Sequence, residues 1–147
     1  VNAQTNSTNF GFNFITKYNQ PDFVCVDELE ARLPFGDRHT ALDTIVKMLQ
    51  KSLICQNAMI TKGKDGLSFY QCKYRCDAPP LATSIVDTVG AGDAVLAMST
   101  LYVHLKLDPE LIAFLSTCAG AIAAGILGND DSVTREMLLT FADRVLK

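Results

Sequence analysis

Apolar positions along this chain fall into two spacings. Between residues 40 and 53, Leu42, Ile45, Val46, Leu49 and Leu53 recur at three- and four-residue intervals, with Asp43, Lys47 and Lys51 between them. That stripe predicts an amphipathic helix from Thr40 to Leu53. Elsewhere the apolar residues form short runs. Asp22-Phe23-Val24-Cys25-Val26, just after Pro21, predicts a buried strand. Ala58-Met59-Ile60-Thr61 and Leu67-Ser68-Phe69-Tyr70 flank a Lys64-Asp65-Gly66 turn and predict two paired strands. Phe14 to Tyr18 predicts a short helix. Asp27 to Leu33 predicts a helix start with acids in its first turn, stopped by Pro34-Phe35-Gly36-Asp37.

The second half reads differently. Lys73 to Ala82 is polar and carries Pro79-Pro80, so it is expected to cross the surface without regular structure. Ser84-Ile85-Val86 then leads into a glycine-rich turn. Three helices are expected to follow. The first covers Ala91 to Lys106. The second starts at Asp108-Pro109-Glu110, a cap with proline at the first helical position, and runs to about Leu127, where Gly128-Asn129 ends it. The last is amphipathic, is capped by Asp131 or Ser132, and reaches Val145. Strands alternating with helices, then helices alone, predict a layered α/β fold in which strands and a hairpin pack against helices.

Composition narrows the function classes. The chain has 147 residues, 48% of them apolar, enough for one domain with a real core. Charged residues make up 20% and the net charge is −3, with no basic cluster. Neither nucleic acid nor an anionic membrane surface is an expected partner. No apolar run approaches the roughly 20 residues that span a bilayer, and no signal-peptide pattern opens the sequence. The five cysteines are scattered; Cys25 and Cys55 sit among apolar neighbours and read as buried thiols of a reducing, cytoplasmic compartment. Cys72 and Cys76 have no second Cys/His pair at zinc-ligand spacing. Asn6-Ser7-Thr8 matches a glycosylation acceptor, read as accidental without a secretory signal. Val1 is not an initiator Met, and the chain reads as cut from a longer protein.

The most informative chemistry lies in Asp87-Thr88-Val89-Gly90-Ala91-Gly92-Asp93. A glycine turn that feeds a helix leaves backbone N–H groups free, and with the positive end of the helix dipole they make an anion site. On the residues alone, Asp93 is either a general base beside a phosphate or a helix cap, and the glycines serve either an anion or a tight turn. Gly90-x-Gly92 also begins like a dinucleotide fingerprint, but Val95 stands where a third small residue belongs.

The whole string resembles the second signature of the ribokinase-like (PfkB-type) carbohydrate kinases, and other segments follow in the family's order. The resemblance covers nearly all of the chain but only the family's C-terminal half, with the sugar-binding half and its lid lacking. The polar opening, Asn2 to Asn13, resembles a subgroup related to heptose-phosphate kinases. The resemblance implies ATP-dependent phosphoryl transfer to a sugar or sugar-phosphate hydroxyl, with Asp93 as base and Gly90, Ala91 and Gly92 as the anion hole. It implies that Thr61, Lys62, Gly63 and Gly66 line the nucleotide, and that Cys118 and Ala121 lie on the adenine side, although Cys118 stands where the family often has Asn or His. Glu30 matches a residue that organises Mg²⁺ partly through water; Asp27 replaces the usual Asn beside it. Both also read as solvated acids on a helix start. Asp87, Val89 and Ser132 match positions that hold a monovalent cation such as K⁺ in some members. The expected partners are ATP, a sugar or sugar phosphate, and either a second copy or an N-terminal half. The rival reading is a nucleotide-binding module without turnover of its own.

Overall fold

The computed structural model describes residues 1–5, 8–9, 11–82, 86–87, 89–127 and 131–147. The strand approach expected at Ser84-Ile85, the helix stop at Gly128-Asn129, most of the Asn6-Ser7-Thr8 acceptor and Thr88 of the signature lie outside these residues.

Four strands make one mixed sheet in the order β1 (Phe23–Asp27), β2 (Asn57–Thr61), β3 (Leu67–Gln71), β4 (Tyr74–Ala78). β1 and β2 run parallel, with Val24 opposite Ala58 and Cys25 opposite Met59. The crossover between them holds α1 (Glu28–Arg32) and α2 (Leu42–Leu53). β2, β3 and β4 are successively antiparallel, with Ile60 opposite Ser68 and Ser68 opposite Asp77. Three helices follow: α3 (Ala91–His104), α4 (Pro109–Ala124) and α5 (Arg135–Val145).

The two faces of the sheet are sorted by strand alternation. Val24, Val26, Ala58, Ile60 and Tyr70 point to one side, where they bury the predicted stripe of α2: Ile45, Val46, Leu49 and Leu53. Phe23, Cys25, Met59, Leu67, Phe69 and Ala78 point to the other. There they meet Val95 and Tyr102 of α3, Ile112 and Cys118 of α4, and Leu138 of α5. The result is helix, sheet, helix: the layered α/β architecture expected from the pattern.

The structure corrects several boundaries. α4 ends at Ala124 with Gly125 after it, short of the expected Leu127, because the chain leaves the helix at that glycine. Residues 74–78 are not a surface crossing but the edge strand β4. Its polar character comes from Arg75 and Asp77, which share one face, while Tyr74, Cys76 and Ala78 alternate on the other and Ala78 is buried. The short helix expected at Phe14 to Tyr18 is a single 3₁₀ turn, Ile15–Lys17. α5 is capped by Thr134, whose Oγ1 accepts the Met137 N–H at 3.2 Å, and not by Asp131 or Ser132. α3 ends at His104, two residues early, because Lys106 is left-handed at φ 55°. Among the described residues no helix is long and apolar enough to cross a membrane.

Candidate functional site

α3 begins on Gly90, which sits at φ 84° and ψ −14°. Glycine takes this left-handed conformation without a Cβ penalty. The turn aims the helix so that its first internal bond runs from the Ala94 N–H to the Gly90 carbonyl at 2.9 Å. No side chain caps the helix. The N–H groups of Ala91, Gly92 and Asp93 therefore have no acceptor among the described residues. They stand at the positive end of a 14-residue helix, which adds to their pull on an anion.

Two hollows flank this helix start. The smaller, about 340 Å³, is lined by Val89, Gly90 and Asp93 on one side and by Asp131 and Ser132 on the other. Asp93 is exposed in it. Its carboxylate makes no ion pair among the described residues. The larger, about 410 Å³, is a groove between the β2–β3 turn and α4. Thr61, Gly63, Lys64 and Gly66 form its sheet side, and Thr117, Gly120, Ala121 and Ala124 its helix side. Ala91 and Gly92 also line it, so the start of α3 contributes to both hollows.

Close packing explains the small residues of the groove. A Cβ on Gly66 would fall 2.2 Å from the Ala78 carbonyl oxygen, so β4 passes directly over that glycine. A Cβ on Gly120 would sit 2.9 Å from Cγ2 of Val95, which lets α3 and α4 approach closely. Thr117 spends its hydroxyl on the Pro79 carbonyl at 2.9 Å, tying α4 to the chain leaving β4.

The structure thus brings together Gly90, Ala91, Gly92, Asp93, Thr61, Gly63, Gly66, Ala121, Val89 and Ser132 along two adjoining hollows. It takes two expected nucleotide residues out of the groove. Cys118 is fully buried in the core, about 100° round α4 from the groove face. Burial pushes its thiol up to about 11, which keeps it protonated in the core. Thr117 and Gly120 stand on the wall instead, and the i, i+3, i+4, i+7 spacing of 117, 120, 121 and 124 is the signal that identifies them. Lys62 turns to the opposite face of the sheet, where its Nζ lies 3.4 Å from Asp77 Oδ1.

The acidic candidates are engaged with backbone. Asp27 Oδ1 accepts the Glu30 N–H at 2.7 Å, and Glu30 Oε2 accepts the Asp27 N–H at 3.1 Å: a reciprocal capping box at the start of α1. Glu30 Oε1 also accepts the Thr5 N–H at 2.8 Å. Burial holds the Glu30 carboxyl above its usual range, against the pull of those N–H donors. Asp27 is exposed at the carboxyl end of β1, and neither it nor Glu30 lines either hollow. Asp87 Oδ1 accepts the Val89 N–H at 2.9 Å and shapes the turn before α3. Among the described residues no three His, Cys, Asp or Glu side chains converge as a metal cage. Burial raises the Cys25 thiol to about 12, which leaves it an inert part of the core.

Known proteins resemble this chain in sequence and fold. Fructokinase-1 of Oryza sativa subsp. japonica is 30% identical over 129 residues, covering 82% of this chain and 39% of its own length. The bifunctional protein HldE of Helicobacter pylori strain G27 is 24% identical over 127 residues, covering 84% of this chain and 27% of its own. The chain thus spans well under half of either relative. Among solved structures, ribokinase from Thermotoga maritima superposes with a TM-score of 0.72 at 21% identity, over 83% of this chain and 42% of that one. Phosphofructokinase-2 from Escherichia coli in complex with potassium gives 0.75 at 16%, over 88% and 42%. These superpositions show the ribokinase-like fold. A model of the pfkB family of carbohydrate kinases matches residues 15–128, and the chain belongs to that family.

Proposed function

We propose that this chain is the nucleotide-binding half of a sugar kinase, and that it supplies the ATP site, the anion hole and the base for phosphoryl transfer to a sugar or sugar-phosphate hydroxyl. The observation that carries the reading is the set of three open amides, Ala91, Gly92 and Asp93, at a helix start between two hollows. The larger groove takes the nucleoside and the amides take the transferring phosphoryl group. Such donors act by stabilising charge that builds on the equatorial oxygens, which is most of what phosphoryl transfer asks of a protein. Asp93, on the far side of the same amides, accepts the proton of the attacking hydroxyl or holds that hydroxyl in line.

Mg²⁺ suits this site as a companion of the nucleotide rather than as a resident of a protein cage. It prefers phosphate oxygens and retained waters, and exposed Asp27, at the carboxyl end of β1, is the carboxylate proposed to meet such a water. When bound, the metal neutralises phosphate charge. For a monovalent cation the proposed donors are Asp87, the Val89 carbonyl and Ser132; Val89 and Ser132 line the smaller hollow and Asp87 does not, and a potassium complex is known for Escherichia coli phosphofructokinase-2.

The half-domain reading also has support from β1. This strand is at the edge of the sheet, yet Phe23, Val24, Cys25 and Val26 are all buried, as in a central strand. Val1 pairs with its outer edge in parallel sense: the Val1 nitrogen donates to the Phe23 carbonyl at 2.7 Å, and the Cys25 N–H donates to the Val1 carbonyl at 3.0 Å. A strand from the sugar-binding half is the proposed neighbour there.

Titration of the chain with ATP and Mg²⁺ by calorimetry, paired with a coupled assay in which the sugar-binding half is supplied, tests the reading. Saturable ATP binding with sugar-dependent ADP release is the expected result. Binding with no turnover in the reassembled protein would leave a nucleotide-binding module, and no binding at all would remove the site.

A further inference from the structure

We propose that Lys62 and Asp77 are a positioning pair that fixes the turn facing the nucleotide. The inference rests on reading the groove as a nucleotide site. Strand alternation sends Thr61 toward the groove and its neighbour Lys62 to the other face of the sheet. There the Lys62 side chain is only 17% exposed, and its ammonium reaches Asp77 Oδ1 at 3.4 Å. The same oxygen accepts from the Ser68 hydroxyl and, at 2.8 Å, from Arg75 Nη2. Arg75 Nη1 donates to Asp43 Oδ1 at 2.6 Å, and the Tyr70 hydroxyl donates to that oxygen at 2.8 Å. One continuous polar network therefore runs from the first turn of α2, across β3 and β4, to the turn between β2 and β3.

Within that turn Lys62 is held twice. Its N–H donates to the Gly66 carbonyl at 2.8 Å, and its carbonyl accepts the Asp65 N–H at 3.1 Å. Its side chain is then anchored to β4. The other members of the network join sheet to helix. Among the described residues, Lys62 is its one cationic link to the segment that carries Thr61, Gly63 and Gly66 into the groove. Burial works against the Asp77 carboxylate, but its bonds to Arg75 and Ser68 hold it down to about 2, so it stays charged at neutral pH. Lys62 thus acts on a nucleotide from behind the wall.

The test compares wild type, Lys62→Met, Asp77→Asn, the double variant and Lys62→Arg. Two readouts are needed: amide hydrogen exchange at Asp65 and Gly66, and affinity for ATP with Mg²⁺ by calorimetry. Lys62→Met and Asp77→Asn are each expected to speed exchange at these two amides about 3- to 5-fold and to weaken ATP by a similar factor. In Lys62→Met, exchange at Ile60 and Phe69 in the sheet stays unchanged; the double variant is no worse than Asp77→Asn alone; and Lys62→Arg keeps wild-type behaviour. The pair is overturned if Lys62→Met leaves turn exchange and ATP affinity within about 2-fold of wild type. A uniform acceleration across the sheet overturns it too, because that marks general destabilisation. If wild type itself binds no ATP, the nucleotide reading of the groove fails, while the exchange rates still decide whether the pair fixes the turn.

Discussion

Asp93→Asn, made in the kinase with both halves present, is expected to lower turnover about 10²- to 10⁴-fold while ATP affinity changes by no more than a few-fold. The substitution keeps the shape of the side chain and removes its capacity to take a proton. Asp93 is exposed in the hollow next to the open amides, with no ion-pair partner among the described residues and no part in capping α3. Losing its charge therefore costs the fold little. The three amides that receive phosphate are main chain and survive the change, so ATP binding persists. A split between kcat and ATP affinity is the signature of a group used in the transition state rather than in binding. Steady-state kinetics against both substrates checks it. A variant with near-normal turnover would remove Asp93 from the reaction.

Gly66→Ala is expected to destabilise the protein by about 3 to 5 kcal/mol, a large share of a typical domain's stability. Two costs add. Gly66 sits at φ 81° and ψ −140°, a region that side chains other than glycine rarely enter. The new methyl would also lie 2.2 Å from the Ala78 oxygen, 2.9 Å from the Pro79 carbonyl carbon and 3.0 Å from the Pro80 nitrogen. All three are backbone atoms, so no rotamer change relieves them, and β4 or the turn must move. Gly63 provides the contrast. It is left-handed at φ 55° but faces open space, so Gly63→Ala bears the conformational cost alone, about 1 to 2 kcal/mol. Urea denaturation of the two variants separates the effects. Equal losses would mean that β4 does not press on the turn as described.

Much of the architecture was legible in residue spacing. The stripe from Leu42 to Leu53, the run after Pro21 and the two strands around Lys64-Asp65-Gly66 carry strong periodicities, and each became the element expected. β4 is hidden in the sequence because its charged residues mask the alternation: Arg75 and Asp77 take one face and Tyr74, Cys76 and Ala78 the other. The site divides along similar lines. A glycine turn before a helix announces open amides, since that property is local. The direction of a side chain at the end of a strand is not local. Lys62 lies in the right segment but is drawn to Asp77, which belongs to a strand 15 residues later. Cys118 lies on the right helix but one step off the face defined by Thr117, Ala121 and Ala124. The pairing of Asp27 with Glu30 is legible in the spacing of a capping box, and the structure forms that box.

The central claim concerns three N–H groups, and they can be watched directly. In a titration of the isotope-labelled chain with ATP and Mg²⁺, followed by amide resonances, the N–H signals of Ala91, Gly92 and Asp93 are expected to shift together, furthest and to saturation. If those three stay fixed while ATP binds elsewhere, the start of α3 is not the phosphate site.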